Sequence, residues 1–128
     1  IHLHGDASGQ NRTAEVTSSM WKAVEDTFRK HFPNNTRYRV LRANPPVKDT
    51  IECVNWALMQ GLVGFDRGEK DVYMSMSACK TDKYGDIDKS IDYNNEGGSR
   101  THEADTARYM LWYFYRHKYP GGKRMFVV

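Results

Sequence analysis

Hydrophobic and polar residues alternate at the start of the chain. Ile1 and Leu3 fall on one face of an extended backbone, and His2, His4 and Asp6 fall on the other. A period of two residues is typical of a β-strand with one buried face. The segments 38–42 and 71–76 predict a second and a third strand.

Three later segments show the three-to-four-residue apolar spacing of amphipathic helices. They predict helices over 19–32, 46–60 and 101–117, with Ser18 or Ser19 and then Thr101 as N-caps and Pro46 in a first turn. The residues expected to face the core are Met20, Val24 and Phe28, then Val47, Ile51, Val54 and Leu58, and finally Ala104, Ala107, Leu111 and Phe114.

The predicted elements alternate strand and helix along the chain. This order predicts an α/β fold with parallel strands and right-handed crossovers. In such sheets, ligands bind beyond the carboxyl ends of the strands, and Asp6 lies at one of those ends. Residues 80–100 have the composition of a long loop, which favours a functional or mobile segment.

Length and composition restrict the class of protein. The 128 residues predict a single domain over 1–128, and 39% hydrophobic with 27% charged residues indicates a globular chain. No apolar run approaches the roughly 20 residues that cross a bilayer, so no membrane association is expected. Because the chain starts on Ile1, inside a strand, we expect it to be a fragment of a longer protein.

Net charge and cysteine content restrict the function less than length and composition do. The formal net charge of +3 permits nucleic-acid binding without requiring it. Cys53 and Cys79 are too few for a disulfide framework and lack the spacing of a metal site. We expect both to be reduced core thiols in a cytoplasmic protein.

Two acidic residues carry the candidate chemistry. Asp6 lies on the glycine-rich segment 5–9 (GDASG), directly after a strand, and Asp105 lies in the first turns of the last helix. Carboxylates on rigid supports are the ligands that Mg²⁺ and Mn²⁺ prefer. We therefore predict a hydrated Mg²⁺ or Mn²⁺ site that requires the side chains of Asp6 and Asp105 to meet.

Three ordered motifs resemble the phage terminase large subunits. Segment 2–12 resembles their "DASG…R" strand-turn, segment 41–55 their "NPPV-basic-D…VN" junction, and segments 88–90 and 101–105 their "DKS…THxxD" close. The resemblance implies the C-terminal nuclease domain of a DNA-packaging motor, with an RNase H-like fold: a mostly parallel sheet flanked by helices. It further implies cleavage of double-stranded DNA with two divalent metals, the terminase small subunit and the portal as partners, and location in the host cytoplasm.

The resemblance also assigns roles to individual residues. Asp6 and Asp105 are the implied metal ligands, and His102 is a polar group expected near the scissile phosphate. Residues expected to contact DNA phosphates are Arg12, Lys89 and Arg100, while Asp49 and Asp88 are expected to be structural or to support the site.

Two departures from the family pattern leave alternatives open. The family's opening β-hairpin, with a further metal-binding Asp, would lie upstream of Ile1, and segment 75–77 (SMS) stands where the family often has an acidic or amide residue. The chain is thus alternatively a catalytically incomplete fragment that binds DNA or docks on the motor. A zinc site of His2, His4 and Asp6 and an unrelated small α/β hydrolase are weaker alternatives.

Overall fold

The computed structural model describes residues 1–11, 18–89 and 101–121, which fall into two compact units. Unit 1 is Ile1–Asn44 and unit 2 is Pro45–Val128. The expected single domain over 1–128 stays a prediction.

Unit 1 contains a short parallel sheet. Strand β1 (His2–Leu3) pairs with β2 (Arg37–Tyr38), with His2 opposite Arg37 and Leu3 opposite Tyr38. The pairing continues past the strand ends, because the Arg39 amide donates to the Leu3 carbonyl at 2.9 Å. The predicted parallel arrangement of the first two strands is confirmed, although both are shorter than expected.

Helix α1 (Met20–His31) connects the two strands of unit 1. Ser19 caps it as predicted, since its hydroxyl oxygen accepts a hydrogen bond from the Lys22 amide at 3.2 Å. The last turn holds Arg29, Lys30 and His31, where positive charge complements the helix dipole.

Unit 2 is built from helices. Helix α2 (Val47–Met59) and helix α3 (Lys70–Ala78) both pack against helix α4 (His102–Tyr115). The predicted helices over 46–60 and 101–117 are confirmed. The buried apolar side chains of this unit are Cys53, Val54, Ala57, Ala104, Ala107, Leu111 and Trp112.

The predicted third strand is wrong, because residues 71–76 lie within α3. Burial in this segment follows a helical period: Ser75 is buried, while Tyr73 and Met74 are 59% and 57% exposed. The Ser75 hydroxyl also accepts a hydrogen bond from the Ala104 amide at 3.0 Å, which ties α3 to the start of α4. This tertiary contact outweighs the local strand pattern.

The predicted core positions are partly correct. In α2 the buried face is Thr50, Cys53, Val54 and Ala57, about one position away from the predicted stripe. Ala104, Ala107 and Leu111 are buried as expected, whereas Phe114 is 47% exposed and Met20 is 69% exposed.

The described residues establish a mixed α/β architecture, about 52% helical, with a two-stranded parallel sheet. Across the parts of the chain that the structure describes, no helix has both the length and the apolar character needed to span a bilayer.

Candidate functional site

The Asp6 carboxylate caps a tight turn at the end of β1. Residues Ala7–Gln10 form a 3-10 helix, and Asp6 Oδ1 accepts a hydrogen bond from the Ser8 amide at 2.6 Å. The carbonyl oxygen of Asp6 accepts another from Trp21 Nε1 at 2.7 Å. Side chain and backbone of Asp6 are therefore both fixed within unit 1.

Trp21 explains why glycine flanks this turn. A Cβ atom on Gly5 would lie 2.5 Å from the Trp21 ring, and one on Gly9 would lie 2.7 Å from it. Neither glycine has a positive φ, so the requirement is close packing rather than backbone freedom. The Trp21 indole thus occupies the space that side chains at positions 5 and 9 would need.

Asn44 joins the Asp6 turn to the end of β2. Its Nδ2 donates to Asp6 Oδ1 at 2.8 Å, and its Oδ1 accepts from the Ala7 amide at 2.8 Å. These groups are 38 and 37 residues apart in the chain. The structure therefore brings segment 5–9 and the start of the "NPP" segment together beyond the carboxyl ends of two parallel strands, the expected position of a ligand site.

Two histidines precede Asp6 in the sequence. The His2 and His4 rings stack at a centroid distance of 6.1 Å. Burial, the charge of His2 and the charge of Arg39 together lower the pKa of His4 below its usual value. The described residues contain no group of three His, Cys, Asp or Glu side chains arranged for a metal ion, so the zinc alternative has no support from the geometry.

Asp105 of unit 2 is held by cations rather than by amides. Its Oδ2 lies 2.7 Å from Lys89 Nζ and its Oδ1 lies 2.9 Å from Arg108 Nη2. The side chains of Asp105 and Arg108 are 18% and 7% exposed, whereas Lys89 is 50% exposed. The carboxylate therefore has one buried and one solvent-facing cationic partner.

Arg108 is itself anchored on α2. Its Nη1 donates to Thr50 Oγ1 at 2.6 Å, and the Thr50 hydroxyl donates to the Val47 carbonyl at 2.6 Å. Thr50 is fully buried. Sequence reasoning missed Arg108 and Thr50; the available signal was the position of Arg108, three residues after Asp105 on the helix.

His102 faces a different part of unit 2 from Arg108. It lines a mainly apolar cavity of about 540 Å³ between segment 63–72 and α4, whose lining also includes Asp66, Glu69 and Glu103. Arg108 lines a separate cavity of about 470 Å³. The geometry therefore assigns His102 to an apolar groove and gives no direct support for its predicted position near a scissile phosphate.

The remaining predicted residues have mixed outcomes. Asp49 lies in the first turn of α2, where the helix dipole stabilises a negative charge. Asp88 is half-buried, and its backbone amide donates to the Lys80 carbonyl at 2.8 Å. The structural or supporting roles expected for both residues stay predictions. Arg12 and Arg100 lie outside the described residues.

The donor chemistry of the two acids suits Mg²⁺ or Mn²⁺, because both supply carboxylate oxygens on structured supports. Each acid has partners in its own unit, among them the Ser8 amide and the Asn44 side chain for Asp6, and Lys89 and Arg108 for Asp105. Because the two acids belong to different units, their convergence stays a prediction.

Family models, curated proteins and solved structures yield no match to this chain.

Proposed function

We propose that the chain is a divalent-metal-dependent endonuclease domain, which cuts double-stranded DNA during viral genome packaging and has an RNase H-like fold. The observation that carries this proposal is the hydrogen bond from Asn44 to Asp6. Two of the three motifs that resemble terminase large subunits meet through it, although they are far apart in the sequence. The proposed partners are double-stranded DNA, the terminase small subunit and the portal.

The position and support of Asp6 are consistent with a metal ligand. The carboxylate follows a parallel strand at its carboxyl end, where α/β proteins bind ligands, and three hydrogen bonds fix the residue. A rigid carboxylate loses little conformational freedom when it binds a cation. Asp105 meets the same requirement through its contacts with Lys89 and Arg108.

The proposed chemistry is phosphodiester hydrolysis. Bound divalent cations would supply a nucleophilic water and stabilise the leaving oxygen. Asp6 and Asp105 would hold those cations. Lys89, which is half exposed beside Asp105, would contact a DNA phosphate, as would Arg12 and Arg100. Contacts of this type favour low sequence specificity.

A nicking assay on supercoiled plasmid with Mn²⁺ tests the proposal. Asp6→Asn and Asp105→Asn should each lower the nicking rate by about 100-fold or more, because even residues that only support metal ligands cost 10–100-fold. Asp26→Asn and Asp71→Asn are matched controls: Asp26 is an exposed acid of unit 1 and Asp71 an acid in a first helical turn of unit 2. Equal rates in all four variants would overturn the proposal.

A second candidate function is a catalytically incomplete fragment that binds DNA or docks on the packaging motor. It is favoured by the finding that, across residues 1–11, 18–89 and 101–121, no three potential metal ligands cluster together. This candidate predicts salt-dependent DNA binding that Asp6→Asn leaves unchanged, with no nicking by this chain. Nicking by a version extended upstream of Ile1 would then keep the family assignment and assign the missing ligand to the added segment.

A further inference from the structure

We propose that Arg108, anchored by Thr50, is a positioning residue that fixes the Asp105 carboxylate in the orientation used to bind a divalent cation. The inference rests on the proposed function, because it takes Asp105 as a metal ligand. It adds two residues that no motif of the sequence pointed to.

The geometry forms a continuous chain of contacts from α2 to α4. The Val47 carbonyl accepts from the Thr50 hydroxyl, Thr50 Oγ1 accepts from Arg108 Nη1, and Asp105 Oδ1 accepts from Arg108 Nη2. Thr50 and Arg108 are buried, and the Asp105 side chain is 18% exposed. The bond to Thr50 therefore holds the planar guanidinium in one orientation. The guanidinium in turn fixes the position of Asp105 Oδ1.

Burying Arg108 has a cost that a purely structural residue at this position would avoid. Its Nε is buried and has no hydrogen-bond partner among the described residues. An apolar side chain of similar volume often stabilises a protein as well as a buried ion pair does, so an arginine here requires another explanation. The guanidinium carbon lies 4.9 Å from the centre of the Tyr109 ring, a contact that does not orient Asp105. The ion pair with Asp105 does, and it offers the explanation.

The direction in which metal affinity changes on mutation shows whether Arg108 acts by positioning Asp105 or only through its charge. A cation beside Asp105 repels a divalent metal, so if Arg108 acted only through its charge, removing it would raise metal affinity. If Arg108 holds the carboxylate in place, removing it lowers metal affinity. Thr50→Val makes the distinction again, because it leaves every charge in place and removes only the anchor of the guanidinium.

The test is calorimetric titration of the full chain with Mn²⁺ alone. We expect Arg108→Met and Thr50→Val to weaken Mn²⁺ binding by about tenfold, in line with other residues that orient metal ligands. Thr50→Ser should bind as the original chain does, because it keeps the hydroxyl. Arg116→Met, an arginine at the other end of α4, should have no effect.

The outcomes separate the two proposals. Unchanged Mn²⁺ binding in Asp105→Asn would overturn the assignment of Asp105 as a ligand, and with it the proposed function. Weakened binding in Asp105→Asn together with unchanged or tighter binding in Arg108→Met and Thr50→Val would overturn the positioning role alone.

A second measurement needs no metal. The ¹³C resonance of the Asp105 side-chain carboxyl reports its surroundings directly, and unfolding curves identify any variant that fails to fold. We expect the resonance to shift or broaden in Thr50→Val and to return in Thr50→Ser. Identical spectra for Thr50→Val and the original chain would overturn the positioning role, whatever the titration gives.

Discussion

Asp6 and Asp105 show two different ways of holding a carboxylate in place. Asp6 in unit 1 accepts hydrogen bonds from neutral groups, the Ser8 amide and the Asn44 side chain. Asp105 in unit 2 is bound by two cations, Lys89 and Arg108. Neutral donors fix the position of an acid without adding charge beside it, whereas cations fix its position and offset its charge.

This difference bears on how each acid would meet a metal ion. A cation approaching Asp105 competes with the positive charges of Lys89 and Arg108, whereas the Ser8 amide and the Asn44 side chain bring no such charge to Asp6. If Asp105 binds a metal ion, we expect the competing charges of Lys89 and Arg108 to lower its contribution to the affinity.

The largest expected effect concerns the turn that carries Asp6. In Gly5→Ala the new Cβ would lie 2.5 Å from the Trp21 ring, so the ring or the turn must move. Overpacking of this kind costs up to about 3 kcal/mol in the free energy of unfolding. Chemical denaturation followed by circular dichroism measures it.

Gly64→Ala is the matched control for this change. Nothing lies within 4 Å of a Cβ at Gly64, and its φ is not positive. A loss of stability in Gly64→Ala equal to that in Gly5→Ala would contradict the close packing against Trp21.

Replacing each acid by its amide tests the comparison directly. Asp105→Asn leaves the buried Arg108 without its carboxylate and should cost about 2 kcal/mol, a value reduced by the exposure of Lys89. Asp6→Asn keeps an oxygen acceptor for the Ser8 amide and should cost about 1 kcal/mol or less. Denaturation midpoints with and without 0.5 M salt, a concentration of the order that screens exposed charges, measure both. Equal costs, or equal salt dependence, would remove the distinction between the two acids.

Asn44→Ala weakens the neutral arrangement around Asp6. The substitution removes the donor to Asp6 and the acceptor of the Ala7 amide, and Ala7 is 8% exposed. An unsatisfied buried amide costs about 1–2 kcal/mol. Hydrogen exchange at the Ala7 amide should become faster, whereas Asn34→Ala, at an exposed position of the same unit, should leave it unchanged.

The smallest expected effect on stability concerns a third acid, Glu52 of unit 2. Its carboxylate accepts a hydrogen bond from a neutral hydroxyl, that of Tyr119. Tyr119 Oη donates to Glu52 at 2.8 Å, and burial, this hydrogen bond and nearby acids raise the pKa of Tyr119 to about 12. The unfolded chain loses the phenol proton near its usual pKa of 10, whereas the folded chain keeps it. The contribution of Tyr119 to stability is therefore complete below pH 10 and is lost as the pH rises toward 12.

Unfolding measured between pH 9 and pH 12, a range spanning both phenol pKa values, tests this dependence. Tyr119→Phe should flatten the alkaline loss of stability. Tyr84→Phe, at a tyrosine that is 77% exposed, should retain it. Parallel curves for Tyr119→Phe and the original chain would contradict the assignment.

The sequence predicted the elements whose determinants are local. The Ser19 cap and the apolar spacing of α1, α2 and α4 gave the correct helices, since these signals lie within a few residues of each other. The position of Asp6 after a strand was predicted for the same reason. The predicted strand over 71–76 failed because the Ser75–Ala104 hydrogen bond is tertiary and leaves no local pattern.

The sequence identified the two acids of the candidate site but not the residues that bond to them. Glycine-rich turns and first helical turns identify carboxylates, so Asp6 and Asp105 were found. The pairing of Asn44 with Asp6 and of Thr50 with Arg108 joins residues 38 and 58 apart, and no spacing rule connects such positions. The half-exposed Lys89 was expected to contact DNA, and the structure gives it a carboxylate partner within the chain.

The indole of Trp21 gives unit 1 an optical reporter of its own. The chain has three tryptophans, and the other two, Trp56 and Trp112, belong to unit 2. Because Trp21 Nε1 is bonded to the backbone of Asp6, its fluorescence responds to any movement of the turn. A chain in which Trp56 and Trp112 are replaced by phenylalanine would therefore report cation or DNA binding at Asp6 as a change in emission, without a label.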